Sequence, residues 1–306
     1  MFQKLSTTTY IQIIFVGLII LISTLLLTGI GYLLAGVIWG ESDLKIALSG
    51  MTENDAQIGI MKLFQLMSQL SVFVLPPLAL AYFIRKDKPD IYCMGKVPDI
   101  GQLFAVIVLF VASLPIIQYT LTLNADMHFP ESMQHIEQWM IDKEGLAADL
   151  TTKFLNTSSW SGLAINLFIM AVMPAIGEEL LFRGLLMRWF SKVFSNIHVN
   201  IFITSFIFSA IHLQFFGFLP RFLLGLILGY SYYFTRNLWT SIWLHFINNA
   251  MTVCVYFWIT RTGSNINPEE VGTVDGIGFV LISLVMVITI LWWMNKQKKD
   301  EIAFIE

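Results

Sequence analysis

Charge is what this sequence has little of. Asp, Glu, Lys and Arg make up 13% of its 306 residues, well under the roughly 25% of a soluble domain, so a fold that faces water on all sides is excluded. Cysteine is nearly absent: Cys93 and Cys254 lie far apart, match no metal or redox spacing and take no role here. The formal net charge of −3 comes without any basic stripe, which rules out nucleic acid as a partner. No internal repeat and no low-complexity tract is visible, and that counts against a transporter built from repeated halves. H-E-x-x-H is also missing, so the helix that carries both zinc histidines in many metalloproteases is absent.

What is present is apolar length. Hydrophobic residues make up 56% of the chain, in runs long enough to cross a bilayer, for which about 20 residues are needed. Divided at its charge clusters, the sequence predicts an all-α, polytopic bundle of about eight transmembrane helices, at roughly 11–39, 60–84, 102–123, 162–188, 198–217, 219–235, 238–260 and 275–294. The first run exceeds a signal-peptide core of about 7–15 residues and reads as a membrane helix. Pro76–Pro77 should kink the second span, and only "FFGFLPR" separates the fifth from the sixth.

Lys and Arg gather in cytoplasmic loops. Arg85, Lys86, Lys88 and Lys96 follow span two, Arg188 and Lys192 span four, Arg236 span six, and Lys296, Lys298 and Lys299 span eight. Acidic residues dominate the opposite side, with Glu41, Asp43, Glu53 and Asp55 after span one and Glu269, Glu270 and Asp275 after span seven. The expected topology has both termini in the cytoplasm, in a cell inner membrane, with residues 1–306 as one integral membrane domain. The long segment 124–161 carries Met133, Ile136, Trp139, Met140, Leu146, Leu150 and Phe154 at helical spacing. It reads as an amphipathic helix on the membrane surface or as a capping loop packed over the bundle.

An ionisable group inside a span is costly and marks a functional hypothesis. The set is small: Glu178, Glu179 and Arg183 in span four, His212 in span five, His245 in span seven, and Arg221 near the start of span six. Glu179 and Arg183 stand four apart and share a helix face, so they can pair. Glu178 is turned about 100° from Glu179, which leaves it free. Phe208 shares a face with His212 and walls in its ring, and Asn249 stands beside His245 as a neutral donor. The plainer readings are a buried ion pair that sets helix packing and histidines that hydrogen-bond between helices. The collected types also suit hydrolysis: a Glu to move a proton, a His to hold water, and a His–Asn pair to face an oxyanion. Two imidazoles and a carboxylate could equally hold zinc with an open position. Depth fits poorly, since His212 lies about 20 Å from the inner end of its span and His245 about 10 Å from that of its own.

"EELLFR", "FSAIH" and "HFINN", in that order on successive apolar segments, resemble the signature of the CAAX-protease and bacteriocin-processing family of intramembrane proteases. The resemblance covers residues 161–256, expected to form the catalytic core. It implies an eight-helix bundle with a cavity open to cytoplasm and lipid, cleaving peptide bonds near the membrane. By motif, Glu178 and His212 would activate water and His245 and Asn249 would stabilise the oxyanion, with Glu179, Arg183 and Phe208 in support. The family has been read both as metalloproteases and as metal-independent glutamate proteases, so zinc held by Glu178, His212 and His245 stays open. The expected substrate is a membrane-associated protein or peptide, prenylated or not, met at the lipid bilayer. The alternatives are a non-catalytic peptide-binding or immunity factor on the same fold and, further off, a proton-coupled transporter.

Overall fold

The computed structural model describes residues 6–84, 90, 92–127, 129–266, 268 and 276–296. Ten helices carry the fold among them: α1 Thr7–Trp39, α2 Glu41–Leu48, α3 Asp55–Ile84, α4 Ile100–Ala125, α5 Gln134–Leu155, α6 Trp160–Ser191, α7 Ile197–Ala210, α8 Phe218–Thr235, α9 Leu238–Thr262 and α10 Ile277–Lys296. Each of the eight expected apolar segments carries a helix, and the chain is an all-α, multi-pass membrane protein. Six of them, α1, α3, α4, α6, α9 and α10, are long and apolar enough to cross a membrane.

The fifth expected span is shorter than the sequence suggests. The run 198–217 is predominantly apolar, but α7 stops at Ala210 after 14 residues, about 21 Å of helix. The chain then turns, with Leu213 in the left-handed region (φ 53°), and α8 begins at Phe218. Hydropathy alone does not see such a turn, because Leu213, Phe215 and Phe216 are as apolar as the helix before them.

Helix α1 is packed as lipid demands, with mostly small and polar side chains inside and large apolar ones outside. Helix α1 buries Thr9, Val16, Ser23, Gly31 and Ala35, close to one residue every two turns. Leu25, Leu33 and Val37 on its other faces are exposed. The Ser23 hydroxyl donates across to the Ser71 carbonyl of α3 at 2.8 Å. The main apolar core lies among α4, α8, α9 and α10, where Leu109, Leu228, Leu244 and Val287 meet.

Helices α3 and α6 are not regular. Helix α3 has a π-helical turn at Gln69–Val74, directly before Pro76 and Pro77. Prolines lack the N–H for an i→i−4 bond, and the wide turn takes up that irregularity while the helix continues to Ile84. Helix α6 has two such turns, at Phe168–Val172 and Leu180–Leu186. The stretch Met173–Glu179 between them carries both glutamates.

Segment 124–161 forms α5, and it packs over the bundle. Met140, Phe154 and Leu155 are buried, the Lys62 ammonium sits 5.7 Å from the Phe154 ring centre, and Trp139 rests on Phe215 with ring centres 5.3 Å apart. Of the charges used for topology, Arg85, Lys86, Lys88, Glu269, Glu270, Asp275, Lys298 and Lys299 lie outside the described residues, as do both chain ends.

Candidate functional site

Helix α6 is enclosed on more than one side, and the consecutive residues of its α-helical stretch Met173–Glu179 are both buried: Glu178 is 6% exposed and Glu179 0%. The two side chains stand about 100° apart, Glu179 toward Arg183 and His245 and Glu178 toward a cavity. π-Helical turns inside α-helices, like the two that flank this stretch, are frequent at functional sites.

Glu179 is tied on two sides. Its Oε1 accepts from Arg183 Nη1 at 2.7 Å and pairs with His245 Nδ1 at 2.9 Å. Arg183 itself is 1% exposed. Its Nη2 donates to the Gly225 carbonyl at 2.9 Å, and its Cζ lies 4.8 Å from the Phe208 ring centre. The expected Glu179–Arg183 pair is therefore present. The bond from His245 to Glu179 was not legible, because the motifs place His245 with Asn249 and say nothing of what fixes its other nitrogen.

Gly225 makes the Arg183 contact possible by letting α8 approach α7. A Cβ there would stand 2.9 Å from Ser205 Cβ and 3.2 Å from Ser205 Cα. Gly225→Ala is expected to destabilise the protein by about 1–3 kcal/mol through overpacking and to lower any activity that depends on Arg183. Gly17→Ala, which meets nothing within 4 Å, is the control. Thermal unfolding in detergent should separate the two, and equal melting temperatures would contradict this packing.

Both imidazoles have one nitrogen assigned by a fixed oxygen. A carbonyl only accepts, so His212 Nδ1, 2.8 Å from the Phe208 carbonyl, must donate, and the lone pair of the neutral ring is on Nε2. By the same logic the His245 Nδ1–H donates to Glu179, and Nε2 faces Glu178 Oε2 at 3.9 Å, beyond hydrogen-bond length. The Phe208 ring lies between the two histidines, with ring centres 5.3 Å from His212 and 5.8 Å from His245. The depth conflict expected from the sequence does not arise: His212 sits in the turn that follows α7, and both rings flank one phenylalanine.

Glu178 has a neutral neighbour. Gln69 Nε2, from the π-helical turn of α3, donates to its Oε1 at 3.4 Å, and among the described residues no Lys or Arg pairs with it. Asn249 Oδ1 accepts from Asn248 Nδ2 at 3.1 Å, which leaves the Asn249 amide N–H groups as donors. Glu178, His212, His245 and Asn249 all line one cavity of about 530 Å³. Gln65, Gln69 and Phe73 of α3, Leu150 and Phe154 of α5, and Arg221 of α8 complete its wall.

A wall made partly by α3 and α5 extends the site beyond residues 161–256. Gln69 and Asn248 are the contributors that the sequence reading missed. A signal existed: Lys62, Gln65 and Gln69 recur at helical spacing inside an otherwise apolar span. A search confined to ionisable residues passes over the glutamines.

Among the described residues no group of three or more His, Cys, Asp or Glu side chains can hold a metal ion, and Glu178, His212 and His245 are included in that statement. Each histidine gives its Nδ1–H to a protein oxygen, which leaves Nε2 of both rings for water or a metal ion.

Comparison with known families agrees with the three motifs. Residues 160–251 match a family described as "Rce1-like: Type II CAAX prenyl endopeptidase Rce1-like". No curated protein and no solved structure matches the chain.

Proposed function

We propose, from the premise that residues 160–251 are an Rce1-like domain, that this membrane protein hydrolyses a peptide bond in a membrane-associated CAAX-type protein or peptide. One observation carries the reading: an acid, two imidazoles and an amide from α6, the α7–α8 turn and α9 line a single cavity. Residues 161–256 are the catalytic core on this reading, completed by the α3 and α5 walls. The topology inferred from Lys and Arg puts both termini in the cytoplasm.

The chemistry assigns each group a task. Water held between Glu178 and the Nε2 lone pair of His212 loses a proton to Glu178 as its oxygen attacks the scissile carbonyl carbon. The carbonyl oxygen becomes an oxyanion, which the Asn249 amide and His245, in its protonated form, stabilise by donating hydrogen bonds. Collapse breaks the C–N bond, and Glu178 returns the proton to the leaving amine. Glu179 and Arg183 act through His245 by holding its ring, and Phe208 fixes the spacing of both rings.

On this reading Glu178 activates the water without a metal, and a chelator is expected to leave the rate unchanged. The test is cleavage of a prenylated CAAX peptide and of unmodified peptides by the purified protein, with and without chelator, read by mass spectrometry. A rate lost on chelation and restored by zinc would contradict the metal-free assignment.

A further inference from the structure

Among the described residues lining the cavity, Arg221 is the single Lys or Arg. It stands in the first turn of α8, and the preceding turn grips one side of it. Nη1 donates to Gln214 Oε1 at 3.1 Å, and Nη2 donates to the Gln214 carbonyl. Its Nε is buried and has no hydrogen-bond partner. A guanidinium meets a carboxylate through a flat pair of parallel N–H groups. With Gln214 taking up one hydrogen on each Nη, the edge made by Nε and its neighbouring Nη is the part still unspent. Glu144 is the carboxylate whose charge acts on Arg221. It belongs to the covering helix α5, where its Oε2 accepts from the Phe216 backbone N–H at 3.2 Å.

We propose that Arg221 is a specificity-determining residue that anchors the free C-terminal carboxylate of the substrate. Gln214 positions its guanidinium. The site then distinguishes the end of a chain from an internal segment. This rests on the peptidase reading above. The chemistry required is a terminal carboxylate on an otherwise apolar tail: the apolar Leu150, Phe154, Leu224 and Val253 elsewhere in the wall contain no second cation to hold an anion.

The experiment compares a prenylated CAAX peptide carrying a free C-terminal carboxylate with the same peptide as its carboxamide. Wild-type kcat/KM is expected to favour the acid by about ten- to a hundredfold, the range for hydrogen bonds to charged groups. Arg221→Gln should bring the acid-to-amide ratio near one. Arg221→Lys, which keeps the charge without the fork, should give an intermediate ratio. The same ratio is read in binding, by displacement of a fluorescent CAAX peptide from Glu178→Gln protein, where no turnover is needed. Acid bound more tightly than amide with no cleavage by wild type would overturn the peptidase reading and keep the anchor. Equal binding of acid and amide by the wild-type site, or a preference that Arg221→Gln retains, would overturn the anchor.

Discussion

Glu178→Gln is expected to lower peptide cleavage by about two to four orders of magnitude, the usual contribution of a positioned acid–base group, while leaving the melting temperature close to that of the wild type. Both halves follow from the surroundings of this side chain. Its carboxylate is 6% exposed, is met by the Gln69 amide at 3.4 Å, and has no Lys or Arg partner among the described residues. Removing its charge therefore strands no cation. A glutamine fills the same volume and still accepts from Gln69. What it cannot do is take a proton from water and hand it on. Single-turnover cleavage together with thermal unfolding in the same detergent checks this, and a large melting loss would show Glu178 to be a packing residue instead.

Glu179→Gln and Arg183→Met are expected to behave in the opposite way, each costing about 3–5 kcal/mol of stability, because either one leaves a buried charge without its partner. Arg183→Met also abandons the Gly225 carbonyl, and Glu179→Gln loosens the carboxylate bond that holds His245. The rate should fall with the stability. The double variant Glu179→Gln/Arg183→Met should recover a good part of the loss, since neither charge is then stranded. Equal melting losses for Glu178→Gln and Glu179→Gln would overturn the division between a free and a paired carboxylate.

These two adjacent glutamates also mark the limit of what the sequence makes legible. The i,i+4 pairing of Glu179 with Arg183 is a local property of one helix and could be read directly. So could the helix segments, from apolar length, and the ordered motifs that place Glu178, His212, His245 and Asn249 in one family pattern. The burial of Glu178 and Glu179 together could not, because it depends on the other helices that enclose α6 and not on its own residues. Nor could the Gln69 contact, which joins residues 109 positions apart, or the Gly225 carbonyl that receives Arg183 from another helix. The early end of α7 escaped because apolar residues fill the turn after Ala210 as well as the helix before it. Segment 124–161 shows the same limit. Its periodicity predicts a helix, but the choice between membrane surface and bundle depends on Phe154 and Leu155, whose burial is set by α3 and α9 rather than by their neighbours in sequence.

Purified protein reconstituted into liposomes with a prenylated CAAX peptide, with the products weighed by mass spectrometry, addresses the shared cavity most directly. Wild type should yield a peptide shortened at its C-terminal end, the new terminus carrying an oxygen from labelled water, and Glu178→Gln protein of wild-type melting temperature should yield none. Intact peptide after incubation with folded wild type, or the same product from Glu178→Gln at an undiminished rate, would contradict hydrolysis by these four side chains.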